Sequence, residues 1–178
     1  MLFRSELIVA LDVATLNEME ALVQKLKGTV RWYKIGKQLF TRAGPEAVQR
    51  VRDKGGHVFL DLKFHDIPNT VGAAVAAAAE TGANMTNVHA LGGPAMLKAA
   101  SEAGRKHNIL TVAVTVLTSM DASELAAVGL SADAEGQVVR LAQLAADAGL
   151  GGAVCSAWEI GPLRQHCGED FALVVPGI

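Results

Sequence analysis

Aromatic residues make up only 4% of this 178-residue chain, so it offers few flat faces on which nucleic-acid bases could stack. Charge of one sign is also scarce. The formal net charge of −2 gives no general attraction to nucleic acid or to an anionic membrane. There are two cysteines, Cys155 and Cys167, and their spacing suits neither a metal knuckle nor a disulfide framework. Glu6 and Asp12 interrupt the first apolar stretch, and no apolar run reaches the length of a membrane span. The expected setting is the cytoplasm. No Gly-x-Gly-x-x-Gly follows the first apolar run, which argues against a dinucleotide-binding sheet.

Apolar residues, by contrast, are plentiful. At 51% they supply one domain over residues 1–178 with a sizeable core. Short β-branched runs alternate with longer segments rich in alanine and leucine. The runs predict strands at Leu7–Asp12, Val30–Gly36, Val58–Lys63, Met85–His89, Leu110–Leu117, Gly152–Ser156 and Ala172–Val175. Helices are predicted at Leu16–Leu26, Pro45–Lys54, Val71–Glu80, Pro94–Lys106, Val138–Ala148 and Trp158–His166. Gly28, Gly55, Gly82 and Gly149 stand where helices should stop, while Thr15, Asn17 and Pro68 are start signals.

Strict β/α alternation predicts a parallel sheet covered by helices. Polar residues gather at the carboxyl ends of several different strands: Asp12, Lys34 with Gly36, Asp61 with Lys63, His89 and Thr118. That distribution favours a TIM (β/α)8 barrel, whose site draws on many strand ends. Only seven strands are found, and the sequence closes on Pro176-Gly177-Ile178. The expectation is therefore a single barrel domain lacking its last strand and C-terminal helices, unless something else covers the open edge.

Asp61-Leu62-Lys63-Phe64-His65-Asp66 is the most informative stretch, because it sets two carboxylates and an ammonium just behind the apolar run Val58-Phe59-Leu60. Alternation along a strand points Asp61 and Lys63 the same way. With Lys34 from the preceding strand they form a row, Lys34–Asp61–Lys63–Asp66, that alternates in sign. Each member can stay ionised when partly removed from water. Decarboxylation suits such a row: loss of CO2 leaves negative charge on carbon, which a fixed ammonium stabilises and then protonates. The plainer alternatives are a surface ion pair worth about 0–1 kcal/mol and a merely solvated Lys34. His65 and His89 with Asp66 would be a metal set, or His89 a hydrogen-bonded strand-end residue.

The decapeptide Asp-Leu-Lys-Phe-His-Asp-Ile-Pro-Asn-Thr (61–70) resembles the signature of the orotidine 5′-monophosphate decarboxylase family, in its bacterial form. Leu-Ile-Val-Ala-Leu-Asp (7–12), Trp-Tyr-Lys-Ile-Gly (32–36), Asn-Val-His-Ala (87–90), Val-Thr-Val-Leu-Thr-Ser-Met (114–120), Val-Cys-Ser (154–156) and Val-Pro-Gly-Ile (175–178) resemble it too, in family order. The resemblance implies a homodimeric TIM barrel that makes UMP with no metal and no organic cofactor. It makes Lys63 the proton donor to pyrimidine C6, sets Asp61 against the departing carboxylate, and gives Lys34 the ribose region. Asp66, Ile67 and Thr70 would act across the dimer interface. Asp12 would bind the ribose hydroxyls, Thr118 and Ser119 the pyrimidine, and Pro176 would lie near the loops that close over the ligand.

The family holds the substrate phosphate with an arginine after Pro-Gly-Ile and a Gly-Arg pair after the eighth strand, neither of which is in this sequence. The resemblance thus implies weak or no turnover by residues 1–178 alone, and a non-catalytic remnant is one alternative. The Mg2+-dependent sugar-phosphate decarboxylase and synthase cousins share Asp-x-Lys-x-x-Asp, but they carry an acidic group where Lys34 stands. A Schiff-base aldolase using Lys63 is opposed by the flanking carboxylates, which favour an ammonium over a nucleophilic amine.

Overall fold

A computed structural model describes residues 5–177; Ile178 of the Val-Pro-Gly-Ile stretch lies outside the described residues. Seven strands form: β1 (Ile8–Ala10), β2 (Trp32–Gly36), β3 (His57–Phe64), β4 (Met85–His89), β5 (Leu110–Val114), β6 (Gly152–Val154) and β7 (Ala172–Val174). All pair in parallel, each with the strand before it in the chain, in the order β1-β2-β3-β4-β5-β6-β7. A doubly wound sheet reverses its strand order at a switch point. This one never does, as a TIM-barrel-type sheet requires. Most observed strands are shorter than their apolar runs; β5, β6 and β7 stop early where the chain turns into the loops at the carboxyl ends, and β2 starts two residues late.

Eight helices accompany the strands among the described residues: α1 (Leu16–Leu26), α2 (Lys37–Ala43), α3 (Pro45–Asp53), α4 (Pro68–Glu80), α5 (Gly93–Lys106), α6 (Ala122–Ala127), α7 (Ala134–Asp147) and α8 (Ile160–Cys167). Thr15 caps α1 as its residue type suggests. The Glu18 N–H donates to the Thr15 hydroxyl at 3.2 Å, and the Thr15 N–H donates to the Glu18 carboxylate at 2.9 Å. That reciprocal pair satisfies two amide donors that the first helical turn leaves over. Gly28, Gly55, Gly82 and Gly149 all take φ between 82° and 89°, the left-handed turn that ends a helix and that only glycine adopts cheaply.

Apolar side chains at helical spacing face the sheet. Met19 and Val23 of α1, Val71, Val75 and Ala78 of α4, and Met96, Leu97 and Ala100 of α5 are all buried. Where α5 meets β5 there is no room for a side chain, since a Cβ on Gly104 would lie 2.4 Å from the Thr111 hydroxyl. Val58, Leu60, Val88, Val112 and Ala113 are fully buried within the sheet. Strands covered on both faces carry such unbroken apolar runs. The charged residues are thereby left to the carboxyl ends, where a helix no longer lies over the strand.

Candidate active site

The sheet places Lys34, Asp61 and Lys63 side by side. The Lys63 ammonium donates to Asp61 Oδ1 at 2.5 Å, and Lys34 Nζ lies 3.5 Å from Asp61 Oδ2 and 3.2 Å from Asp12 Oδ1. Side-chain exposure is 11% for Asp61, 23% for Lys34 and 27% for Lys63. Neither lysine is simply solvated, and the Asp61–Lys63 pair is no surface ion pair. Gly36 makes room for the row, because a Cβ there would sit 3.3 Å from Lys34 Nζ.

Regular alternation does not bring Asp61 and Lys63 together. Between Leu60 and Phe64 the pairing with β4 slips: β3 runs four positions, 60 to 64, against two on β4, 86 to 88. Lys63 stands inside this bulge with φ +53°, a left-handed conformation that costs a non-glycine residue of order 1 kcal/mol. The bulge frees the Lys63 N–H from the ladder, and Asn87 Oδ1 accepts it at 2.7 Å. The Asn87 amide nitrogen donates to Asp61 Oδ1, also at 2.7 Å. Sequence reasoning did not single out Asn87. Its signal was a carboxamide in the middle of an otherwise apolar strand, where a polar side chain needs partners.

The fourth member expected for the row, Asp66, is the one that the resemblance assigns to a neighbouring subunit's site. Within this chain the row runs Asp12–Lys34–Asp61–Lys63, and Asp66 is not in it. Asp66 is exposed beyond the end of β3 and accepts the N–H of its neighbour Ile67 at 2.6 Å. Ile67 caps α4 and is 65% exposed, and Thr70 is exposed on the first turn of that helix. Thr118 and Ser119 occupy an exposed turn after β5, and Pro176 is exposed after β7. All of these stand at the carboxyl ends of their strands.

His89 corrects an expectation. Among the described residues its ring has no hydrogen-bond partner; instead it packs against His65, with ring centroids 5.4 Å apart. Burial pushes its pKa down, and the neighbouring His65, Lys37 and Lys63 charges push the same way. The alternative metal set of His65, His89 and Asp66 does not assemble: no three His, Cys, Asp or Glu side chains group as ligands among the described residues. Cys155 is buried at the end of β6, and burial followed by the Glu159 charge pushes its thiol up to about 11, which makes it a poor nucleophile.

Burial alone would raise the Asp61 pKa. The Lys63 and Asn87 hydrogen bonds, with the charges of Lys63 and Lys34, outweigh it and hold the carboxyl below its ordinary range. The folded chain therefore binds that proton less tightly than the unfolded chain. The resulting stabilisation is present above the ordinary carboxyl range and is lost as pH falls through the depressed folded value. Acid unfolding followed by circular dichroism should show a shallower dependence on pH below about 4 for Asp61→Asn than for the parent. Superimposable acid limbs would remove this coupling.

Comparison with known proteins adds three findings. A family model described as "Orotidine 5'-phosphate decarboxylase / HUMPS family" matches residues 5–178. The orotidine 5'-phosphate decarboxylases of Syntrophotalea carbinolica and Sodalis glossinidius are 50% and 51% identical to the chain; each alignment takes in 98% of this chain, and 75% and 70% of those proteins. The crystal structure of orotidine 5'-phosphate decarboxylase from Lactobacillus acidophilus superposes with a TM-score of 0.89 at 36% identity, covering 97% of this chain and 80% of that one.

Proposed function

This chain belongs to the orotidine 5′-phosphate decarboxylase / HUMPS family, and we propose that the charged row at its strand ends carries out that decarboxylation. The reaction converts orotidine 5′-monophosphate to UMP in de novo pyrimidine synthesis. The observation that carries the assignment of roles is the Lys63 ammonium, fixed 2.5 Å from Asp61 with Lys34 on the far side of the same carboxylate.

The substrate carboxylate enters beside Asp61, where two like charges oppose each other. As the C6–CO2 bond breaks, its electron pair stays on C6. Charge leaves the carboxylate and builds up on carbon facing the Lys63 ammonium, an interaction stronger in the transition state than in the ground state. Lys63 then gives its proton to C6, leaving UMP and a neutral amine that solvent reprotonates. Lys34 holds Asp61 ionised from the opposite side and, with Asp12, meets the ribose hydroxyls. Thr118 and Ser119 offer hydroxyls to the pyrimidine edge, and Pro176 lines the mouth beyond β7.

The exposed Asp66, Ile67 and Thr70 support a homodimer in which they complete the neighbour's site. Ile67 and Leu91, 65% and 45% exposed, give that face an apolar centre. Residues 1–178 are read as one barrel domain. No helix among the described residues is long and apolar enough to cross a membrane, and a cytoplasmic location belongs to the same reading.

The test is the fall in orotidylate absorbance on adding the protein, measured with and without EDTA. For residues 1–178 alone the expected result is weak turnover, unchanged by the chelator. The Mg2+-dependent cousins would lose theirs, and an ammonium already stands at the Lys34 position where they need a metal-binding carboxylate.

A further inference from the structure

Asn87 is 1% exposed, and its carboxamide spans the gap that the β3 bulge opens against β4. Its two ends are not interchangeable. The Lys63 N–H is a donor and needs the amide oxygen, whereas the Asp61 carboxylate accepts and needs the amide N–H. Turning the amide over breaks both bonds at once, so a single orientation is locked. The residue it grips by the backbone is the one held left-handed at φ +53°, and the ammonium of that residue folds back onto the same Asp61 oxygen.

We propose that Asn87 is a positioning residue for decarboxylation: one locked carboxamide holds the Lys63 backbone and the Asp61 carboxylate in fixed register, so that proton donor and repelling anion address the same substrate carbon. The inference rests on the reaction assigned above and extends it to a residue without a role there. β3 alone does not set the geometry of its charged pair. A bulge left to itself offers several backbone arrangements, and the acceptor supplied from β4 selects one.

Two substitutions separate this role from a general structural one. Asn87→Ala removes both bonds, and kcat should fall about 100-fold through misplacement of the reacting groups, with KM changing by less than about five-fold. Asn87→Asp keeps an oxygen for the Lys63 N–H but turns a second oxygen toward Asp61. Two carboxyls in one site hold a shared proton more tightly than either alone. At high pH the introduced carboxylate repels Asp61 and kcat should be as low as in Asn87→Ala. As pH falls through the raised pKa of the pair, the introduced carboxyl becomes a donor to Asp61, and kcat should recover by at least about ten-fold.

The other charged groups around that position are Lys63 on β3, Lys34 on β2, Asp12 after β1, and His65 with His89. Dividing each profile by that of the parent removes their contribution. Rates are referred to sites counted by UMP titration, so a variant that folds only in part still yields a kcat. An active parent with Asn87→Ala within three-fold of it, or an Asn87→Asp profile parallel to that of Asn87→Ala, overturns the positioning role alone. A parent without orotidylate turnover even when the family's phosphate-binding segment follows residue 178 removes the assigned reaction, and this inference with it.

Discussion

Replacing Lys63 by alanine is expected to lower kcat by at least about 1,000-fold, since one substitution removes both the proton donor and the charge facing the carbanion. The fold should survive. The Asp61 carboxylate that loses its partner keeps Lys34 at 3.5 Å and the Asn87 amide at 2.7 Å, so it is not stranded. Circular dichroism and the thermal midpoint should stay close to the parent's. Lys63→Gly provides a control: it is equally inactive, but it relieves the left-handed strain at φ +53° and should be more stable than Lys63→Ala by about 1 kcal/mol. A Lys63→Ala enzyme with parental turnover would end the proton-donor assignment. Two glycine and alanine variants of equal stability would remove the strain.

The second large effect is restoration. In the proposed homodimer, Asp66→Asn and Lys63→Ala variants, each inactive by itself, should regain activity when their subunits exchange. If Asp66 acts in the neighbour's site, a hybrid dimer has one site carrying both changes and one carrying neither. Equal mixing makes half of the dimers hybrids, with one of two sites intact in each, so roughly a quarter of parental activity returns. The exposed position of Asp66, outside the row formed within its own chain, is what motivates the experiment. Native mass spectrometry measures the exchange. Verified hybrids without activity would place Asp66 in its own subunit's site.

Much of this architecture could be read from residues. α1 was legible at both ends because Thr15 and Gly28 are start and stop residues around an apolar spacing that ends in Met19 and Val23 burial. α4 begins at Pro68 rather than Val71, so the proline start signal outweighed the alanine run that suggested a later start. α2 was not anticipated, for it buries only Leu39 and its apolar period is too weak to register. α6 was missed although Asp121 and Glu124 form a capping box, because six residues give too short a period to notice. Lys34, Asp61 and Lys63 were correctly brought together by strand order. The way Lys63 reaches Asp61 was not legible, since a bulge depends on how β3 meets β4 and alternation along one strand carries no record of it.

Because every strand pairs with the one made just before it, the sheet can be laid down in the order of synthesis. A nascent chain leaving the ribosome finds the edge that each of β2 to β7 pairs with already present. Each step closes a short loop, which keeps its entropic barrier low. Once β4 has emerged, the ammonium, carboxylate and carboxamide are all on neighbouring strands, so the chemical heart of the molecule can take shape while ribosomes are still translating the later turns of the sheet.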